Sequence, residues 1–186
     1  MQIRPEEILP IVEEAGKICF LDIEVTSKDG DYGSVLVACV KPFRRPVKSF
    51  VVRRPGDDES VLRAVRRELG QYLIWVSFYG KNFDIPFLNT RLWRYGLPPL
   101  ERKHHIDMYW VVKSGTLTGR RSQAHLLEFL DSPIRKLTIS PEVWNQVVKD
   151  RSGKALKILQ KRCESDVRGL EVLYTRARKL IREITR

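Results

Sequence analysis

The sequence predicts an α/β fold: an antiparallel meander of three strands leading into parallel strands, the mixed sheet being flanked by α-helices. Two observations predict it. Three short apolar runs rich in β-branched residues, near 17–26, 34–40 and 47–53, are separated by turn formers. From residue 57 onward, strand-like runs alternate with segments of helical periodicity. At 186 residues the chain suits a single domain, 1–186, burying about 70% of its unfolded surface.

The elements follow in order. Residues 5–15 read as a short amphipathic helix leading into the strand KICFLDIEVT. SKDGDYG is a turn-rich connection, and KPFRRP separates the second and third strands. Asp57 to Glu59 open a helix with Val61, Leu62, Val65 and Leu69 on one face, and Gly70 ends it. The apolar run from Tyr72 to Tyr79 is a strand closed by Gly80. A helix is expected over Lys81–Tyr95, with Pro86 near its start and Gly96-Leu97-Pro98-Pro99 as its stop. Residues 104–113 fit strand or helix, 114–121 read as flexible, and 122–130 as a helix. A polar connection then runs to Gly153, and 154–184 carries the strongest helical pattern in the chain.

Composition narrows the function classes. Hydrophobic residues at 42% and charged residues at 31% describe a globular protein rather than a disordered one. No apolar stretch approaches the roughly 18 residues of a membrane span, and the acidic N-terminus does not resemble a signal peptide. Cys19, Cys39 and Cys163 lie in apolar runs without metal-ligand spacing, which predicts free thiols in a reducing cytoplasm. Thirty-four Lys and Arg against 23 Asp and Glu give a formal charge of +11. The basic residues cluster at 41–54, 63–67, 91–103, 120–121 and 149–186, which suggests nucleic acid as partner; a merely solvated basic surface is the competing reading.

The candidate chemistry lies in four acids. Asp22 and Glu24 alternate along the first strand, so both project from one face, roughly 7 Å apart. Like charges in a core strand are costly unless a cation sits between them. Asp84 follows a buried strand at a strand-to-helix junction, where open α/β sheets place their sites; a helix cap by Asn82 or Asp84 is the alternative. Asp166 falls on the inward stripe Leu156, Leu159, Cys163, Val167, Leu170 and Leu173, where it needs a metal or an arginine as partner. Four carboxylates suit hard cations, Mg²⁺ or Mn²⁺, held as two ions about 3.5–4 Å apart for in-line phosphoryl displacement.

These segments resemble the motifs of the DEDD superfamily of 3′–5′ exonucleases, which have the ribonuclease H-like fold. FLDIEVT resembles the first motif, YGKNFDIPFLNTR the second and RCESDVRGLEVLY the third, in order over about residues 17–175. The resemblance implies Asp22, Glu24, Asp84 and Asp166 as metal ligands and catalytic residues, with Asn82 and Phe83 beside the nucleic acid. HHIDMYW resembles a further aspartate-bearing segment of polymerase-B-like members, which adds Asp107 as a secondary candidate. The implied activity is exonucleolysis at single-stranded or 3′ ends of DNA or RNA, with a non-covalent protein partner as a further option.

One departure concerns the third motif. Family members usually carry a tyrosine four residues, or a histidine five residues, before the last aspartate; here Arg162 and Lys161 stand there. Arginine is permanently protonated and cannot act as a general base. Three readings stay open: activation of water by metal alone; a base from elsewhere, such as His104, His105, His125 or Tyr79; or a weakened or inactive nucleic-acid-binding module in which Arg162 holds a phosphate. Tyr79 and Phe83 are candidates for stacking on terminal bases, against core packing as the alternative.

Overall fold

The computed structural model describes residues 5–182 and 184. Strand β1 (Ile18–Val25) lies at the centre of a five-stranded sheet with β2 (Val35–Pro42), β3 (Lys48–Val51), β4 (Ile74–Ser77) and β5 (His104–Asp107). The spatial order is β3-β2-β1-β4-β5. The pairs β1–β2 and β2–β3 are antiparallel, while β1–β4 and β4–β5 are parallel. This is the mixed sheet the sequence predicts.

Helices α1 (Pro5–Glu14), α2 (Glu59–Leu69), α3 (Asp84–Arg94), α4 (Met108–Gly115), α5 (Gln123–Phe129), α6 (Pro141–Val148) and α7 (Gly153–Ala177) accompany it. Central strands β1 and β2 are buried almost throughout, as expected of strands covered on both faces. The long helix α7 packs against both, burying Leu159, Cys163, Val167, Leu170, Leu173 and Tyr174. Its ring Tyr174 meets Phe20 and Phe43 edge-on, with centroids 5.5 and 6.0 Å away.

Four boundaries differ from the sequence expectations. The helix expected from Lys81 begins at Asp84, because residues 79–83 form a tight turn instead. Tyr79 there adopts a left-handed φ of 66°, and Asn82 N–H bonds to the Tyr79 carbonyl. The ambiguous run 104–113 is both predicted elements in succession, with Asp107 ending β5 and capping α4 by accepting the Tyr109 N–H. Helix α6 occupies the stretch read as a polar connection; only Val147 of it is buried, so its apolar periodicity is faint. Finally, α7 ends at Ala177 rather than 184. A 3₁₀ turn over Arg178–Leu180 redirects the chain and buries Ile181.

Two of the basic residues counted toward a polyanion-binding surface are interior. The Arg91 guanidinium, 3% exposed, forks onto Asp58 with Nε–Oδ2 and Nη2–Oδ1 distances of 2.9 Å. Asp58 also accepts from Val35 N–H and Tyr95 Oη, and Arg91 Nη1 donates to the Gly30 carbonyl. Lys41 is likewise buried and paired with Glu171 of α7.

Candidate metal centre

The parallel pairing of β1 with β4 runs over Ile18–Phe20 and stops there. The carboxyl half of β1 therefore has an edge facing the β4–α3 turn, and the Ile23 N–H on that edge bonds to Asp84 Oδ1 at 3.2 Å. Ile23 sits between Asp22 and Glu24, so this one bond ties the third predicted acid to the first two. Asp84 is the first residue of α3; Phe83 is the N-cap, without a side-chain cap bond, and Asn82 is exposed. The register of β1 on β2 shifts between Glu24 and Val25, an irregularity of the kind that re-aims side chains beside sites.

Gly80 makes the Asp84 approach possible. A Cβ there would stand 2.4 Å from Ser77 Oγ and 3.1 Å from Asp84 Oδ2. The turn is clamped further by Asp107, whose Oδ1 accepts from Tyr79 N–H at 2.7 Å and whose Oδ2 accepts from Lys81 N–H at 3.1 Å. With the Tyr109 bond as well, both Asp107 oxygens are committed to backbone amides. Asp107 thus positions the turn carrying the second motif, and burial, opposed by those amides, raises its pKa.

Helix α7 supplies the fourth acid. Ligand atoms of Asp22, Glu24 and Asp166 all lie within 4.8 Å of one another. Glu24 and Asp166 are buried and Asp22 half-buried. The helix is fixed against β1 by Cys163 Sγ–H donating to the Asp22 carbonyl at 3.2 Å. Gln123 Nε2 donates to the Asp166 carbonyl at 2.7 Å, where α5 crosses so closely that Gly169 leaves no room for a Cβ beside Leu127.

Crowding these acids out of water raises their pKa values. Burial and then the neighbouring Asp166 lift Asp22 to about 7; burial and then Asp22 lift Glu24 to about 8. Burial, followed by Asp22, also raises Asp84. Two cations oppose this. Lys136 Nζ stands 2.7 Å from Asp166 Oδ2, and Arg162 Nε stands 3.0 Å from Glu24 Oε1 and 3.9 Å from Asp166 Oδ2. Arg162 Nε makes no aligned hydrogen bond, so its tie to Glu24 is an ion pair alone. Its guanidinium carbon lies 5.9 Å from the ring centre of Trp144 on α6.

The donors fit a hard divalent cation. All are carboxylate oxygens, and Asp166 Oδ1 is buried without a hydrogen-bond partner, leaving lone pairs to coordinate. Sequence reasoning missed Lys136 and Trp144. Both come from the stretch between α5 and α7, where periodicity is weak and a lysine or tryptophan carries no motif.

The remaining candidates sit around this centre. His105 is buried on β5, its Nε2 2.7 Å from Ser77 Oγ, and burial lowers its pKa to about 4. His104 precedes it, partly buried. Phe83 packs on Phe87, with ring centres 5.8 Å apart. Tyr79, Tyr109 and Trp110 form a cluster, with Tyr79 and Trp110 partly exposed, and Trp110 Nε1 donates to Asn82 Oδ1 at 3.3 Å. Lys113 Nζ lies 4.4 Å from the Trp110 ring centre.

The fold and its acids define a member of a large class: residues 19–178 match the family model of the RNase H superfamily, and the chain belongs to that superfamily. Among solved structures, it is similar to the family B DNA polymerase of the hyperthermophilic archaeon Pyrobaculum calidifontis, at 19% identity and a TM-score of 0.67. That match covers 86% of this chain and 24% of the polymerase. Brucella melitensis NrnC is similar at 17% identity and a TM-score of 0.59, over 89% of this chain and 74% of NrnC. No curated protein sequence matches the chain. Among the described residues, no helix is long and apolar enough to cross a membrane.

Proposed function

We propose that this protein is a divalent-metal-dependent nuclease that removes nucleotides from the 3′ end of single-stranded DNA or RNA. The observation carrying this reading is the convergence of Asp22, Glu24 and Asp166 within 4.8 Å, with Asp84 bonded to the backbone between the first two. Membership of the RNase H superfamily supports phosphodiester hydrolysis at such a site. The similarity to a DNA polymerase supports a nucleic-acid substrate.

Asp22, Glu24, Asp84 and Asp166 would hold Mg²⁺ or Mn²⁺, which when bound makes water a nucleophile near neutral pH and stabilises the leaving oxygen. The protein's own contribution is geometric and electrostatic. β1 and α7 fix three carboxylates, the Ile23 amide orients Asp84, and burial excludes competing water. Tyr79 and Trp110, with Lys113 beside them, offer ring faces and positive charge next to the Asp84 turn, a combination suited to unpaired bases on a phosphate chain. His105 is a poor general base because Ser77 engages it and its proton affinity is low.

The test is incubation of 5′-labelled single strands with the protein and Mg²⁺ or Mn²⁺. A ladder of products shortened from the 3′ end supports the reading. Absence of cleavage with either metal, on DNA and RNA alike, overturns it. Retention of salt-dependent strand binding in that case would mark the protein as a binding module of the same fold, a reading favoured by the arginine at position 162.

A further inference from the structure

We propose that Lys136 and Arg162 are built-in members of the acid cluster, so that the centre takes a single divalent cation rather than two. The inference deepens the metal-site reading above and rests on it.

Both cations are delivered by structure rather than by chance reach. Lys136 lies in the connection between α5 and α6, and the residue before it is pinned to α7: Ser165 Oγ donates to the Arg135 carbonyl at 3.0 Å. Ser132 Oγ accepts the Ile134 N–H at 3.0 Å and shapes the same connection. That puts the Lys136 ammonium on Asp166 Oδ2, an oxygen of a carboxylate 2% exposed. Arg162 stands one turn before Asp166 on α7, backed by Trp144, and covers Glu24.

The charge balance follows. Because metal binding displaces ligand protons, the ion-bound centre sets four carboxylates against two cations, and one divalent ion closes the remaining difference. A second would leave a desolvated site with excess positive charge, which is costly. The Lys136 ammonium engages Asp166 Oδ2 at 2.7 Å, which leaves Oδ1 as the unpartnered oxygen of that carboxylate. Arg162 also replaces the residue expected to assist water, so cation and missing base are two aspects of one substitution.

The test counts ions rather than turnover. Mn²⁺ is titrated into the intact protein without nucleic acid, and free Mn²⁺ is followed by electron paramagnetic resonance. Circular dichroism melting accompanies each variant. A single Mn²⁺ per wild-type chain is expected, rising to two where both cations are neutralised together (Lys136→Met with Arg162→Met), while Lys136→Arg keeps one. Lys136→Gln with Arg162→Gln is carried in parallel, so that one unfolded variant does not decide the result. Two ions in the wild type, or one ion in wild type and in both neutral variants, overturns the inference while leaving the metal-site reading intact. No ion in the wild type overturns it too; if the neutral variants then bind Mn²⁺ the metal-site reading stands, and if none binds, that reading fails as well.

Discussion

Asp84 and Ile23 are joined by a single hydrogen bond, from the Ile23 amide to Asp84 Oδ1, across the gap where β1 and β4 stop pairing. The sheet leaves a backbone donor unmatched there, and a carboxylate takes it. Such a bond orients the acid while leaving its second oxygen for other work.

Gly80→Ala tests how tightly that arrangement is packed. A methyl group at 80 meets Ser77 Oγ at 2.4 Å and Ser77 Cβ at 2.6 Å, short side-chain atoms with little freedom to retreat. Overpacking of this kind costs about 1–3 kcal/mol. Urea unfolding should show that loss, and cleavage of a labelled strand should fall with it because Asp84 shifts. Unchanged stability would mean the turn is looser than the distances indicate.

Asp22→Asn separates chemistry from folding. The substitution removes a proposed metal ligand and also one like charge beside Asp166 and Glu24. Strand cleavage should drop by at least about a hundredfold. The melting temperature of the metal-free protein at pH 8 should hold or rise. A large drop in melting temperature would show that Asp22 is a structural anchor instead.

The pH dependence has a definite sign. Asp22 at about 7 and Glu24 at about 8 bind protons more tightly folded than unfolded, where carboxyls titrate near 4. Between these limits the native state holds the extra protons, so their contribution to stability declines as pH rises through the folded values. Metal-free protein should therefore melt at lower temperature at pH 9 than at pH 6.5, in chelator-treated buffer. Mg²⁺, which on the proposed reading would bind the ionised carboxylates, should raise the melting temperature more at pH 9 than at pH 6.5.

Breaking the Asp58–Arg91 pair is expected to be the most damaging surface-remote change. Arg91→Met leaves Asp58, which is fully buried, without its fork, and the loss of one partner in such a pair typically costs about 3–5 kcal/mol. Denaturant unfolding measures it. A double variant Asp58→Asn with Arg91→Met should recover part of the loss, since no uncompensated charge remains.

Trp110→Ala addresses the strand surface. Binding of a single-stranded oligonucleotide to an Asp22→Asn background should weaken by about 1–3 kcal/mol per lost stacking contact. Fluorescence anisotropy reads it directly, with melting temperature little altered because Trp110 is 40% exposed. Equal affinity would place the strand elsewhere on the protein.

The meander and the central strands were legible because strand side chains alternate and three apolar runs are punctuated by turn formers. The inward position of Asp166 was legible from helical spacing alone, and α7 indeed buries it with Cys163 and Leu170. Asp84 was placed at its junction, but its bond to Ile23 was invisible, because that contact depends on where β4 stops pairing. Asp107 illustrates a different limit. A sequence shows an acid in an apolar run; only the fold shows its two oxygens spent on the amides of Tyr79, Lys81 and Tyr109. Arg91 was counted with the basic surface because its partner is 33 residues away in sequence. Lys136 left no trace at all, being one lysine among many until α7 is seen to hold the residue before it.

The interior pairs have a consequence for the outer surface. Arg91 cancels Asp58, and Lys41 cancels Glu171, so burying these cations leaves the formal surplus of +11 undiminished. Any cation gathered by the four acids adds to that surplus. On the proposed reading, ion and polyanion would be thermodynamically linked: each would raise the affinity for the other by the same factor, whichever arrives first.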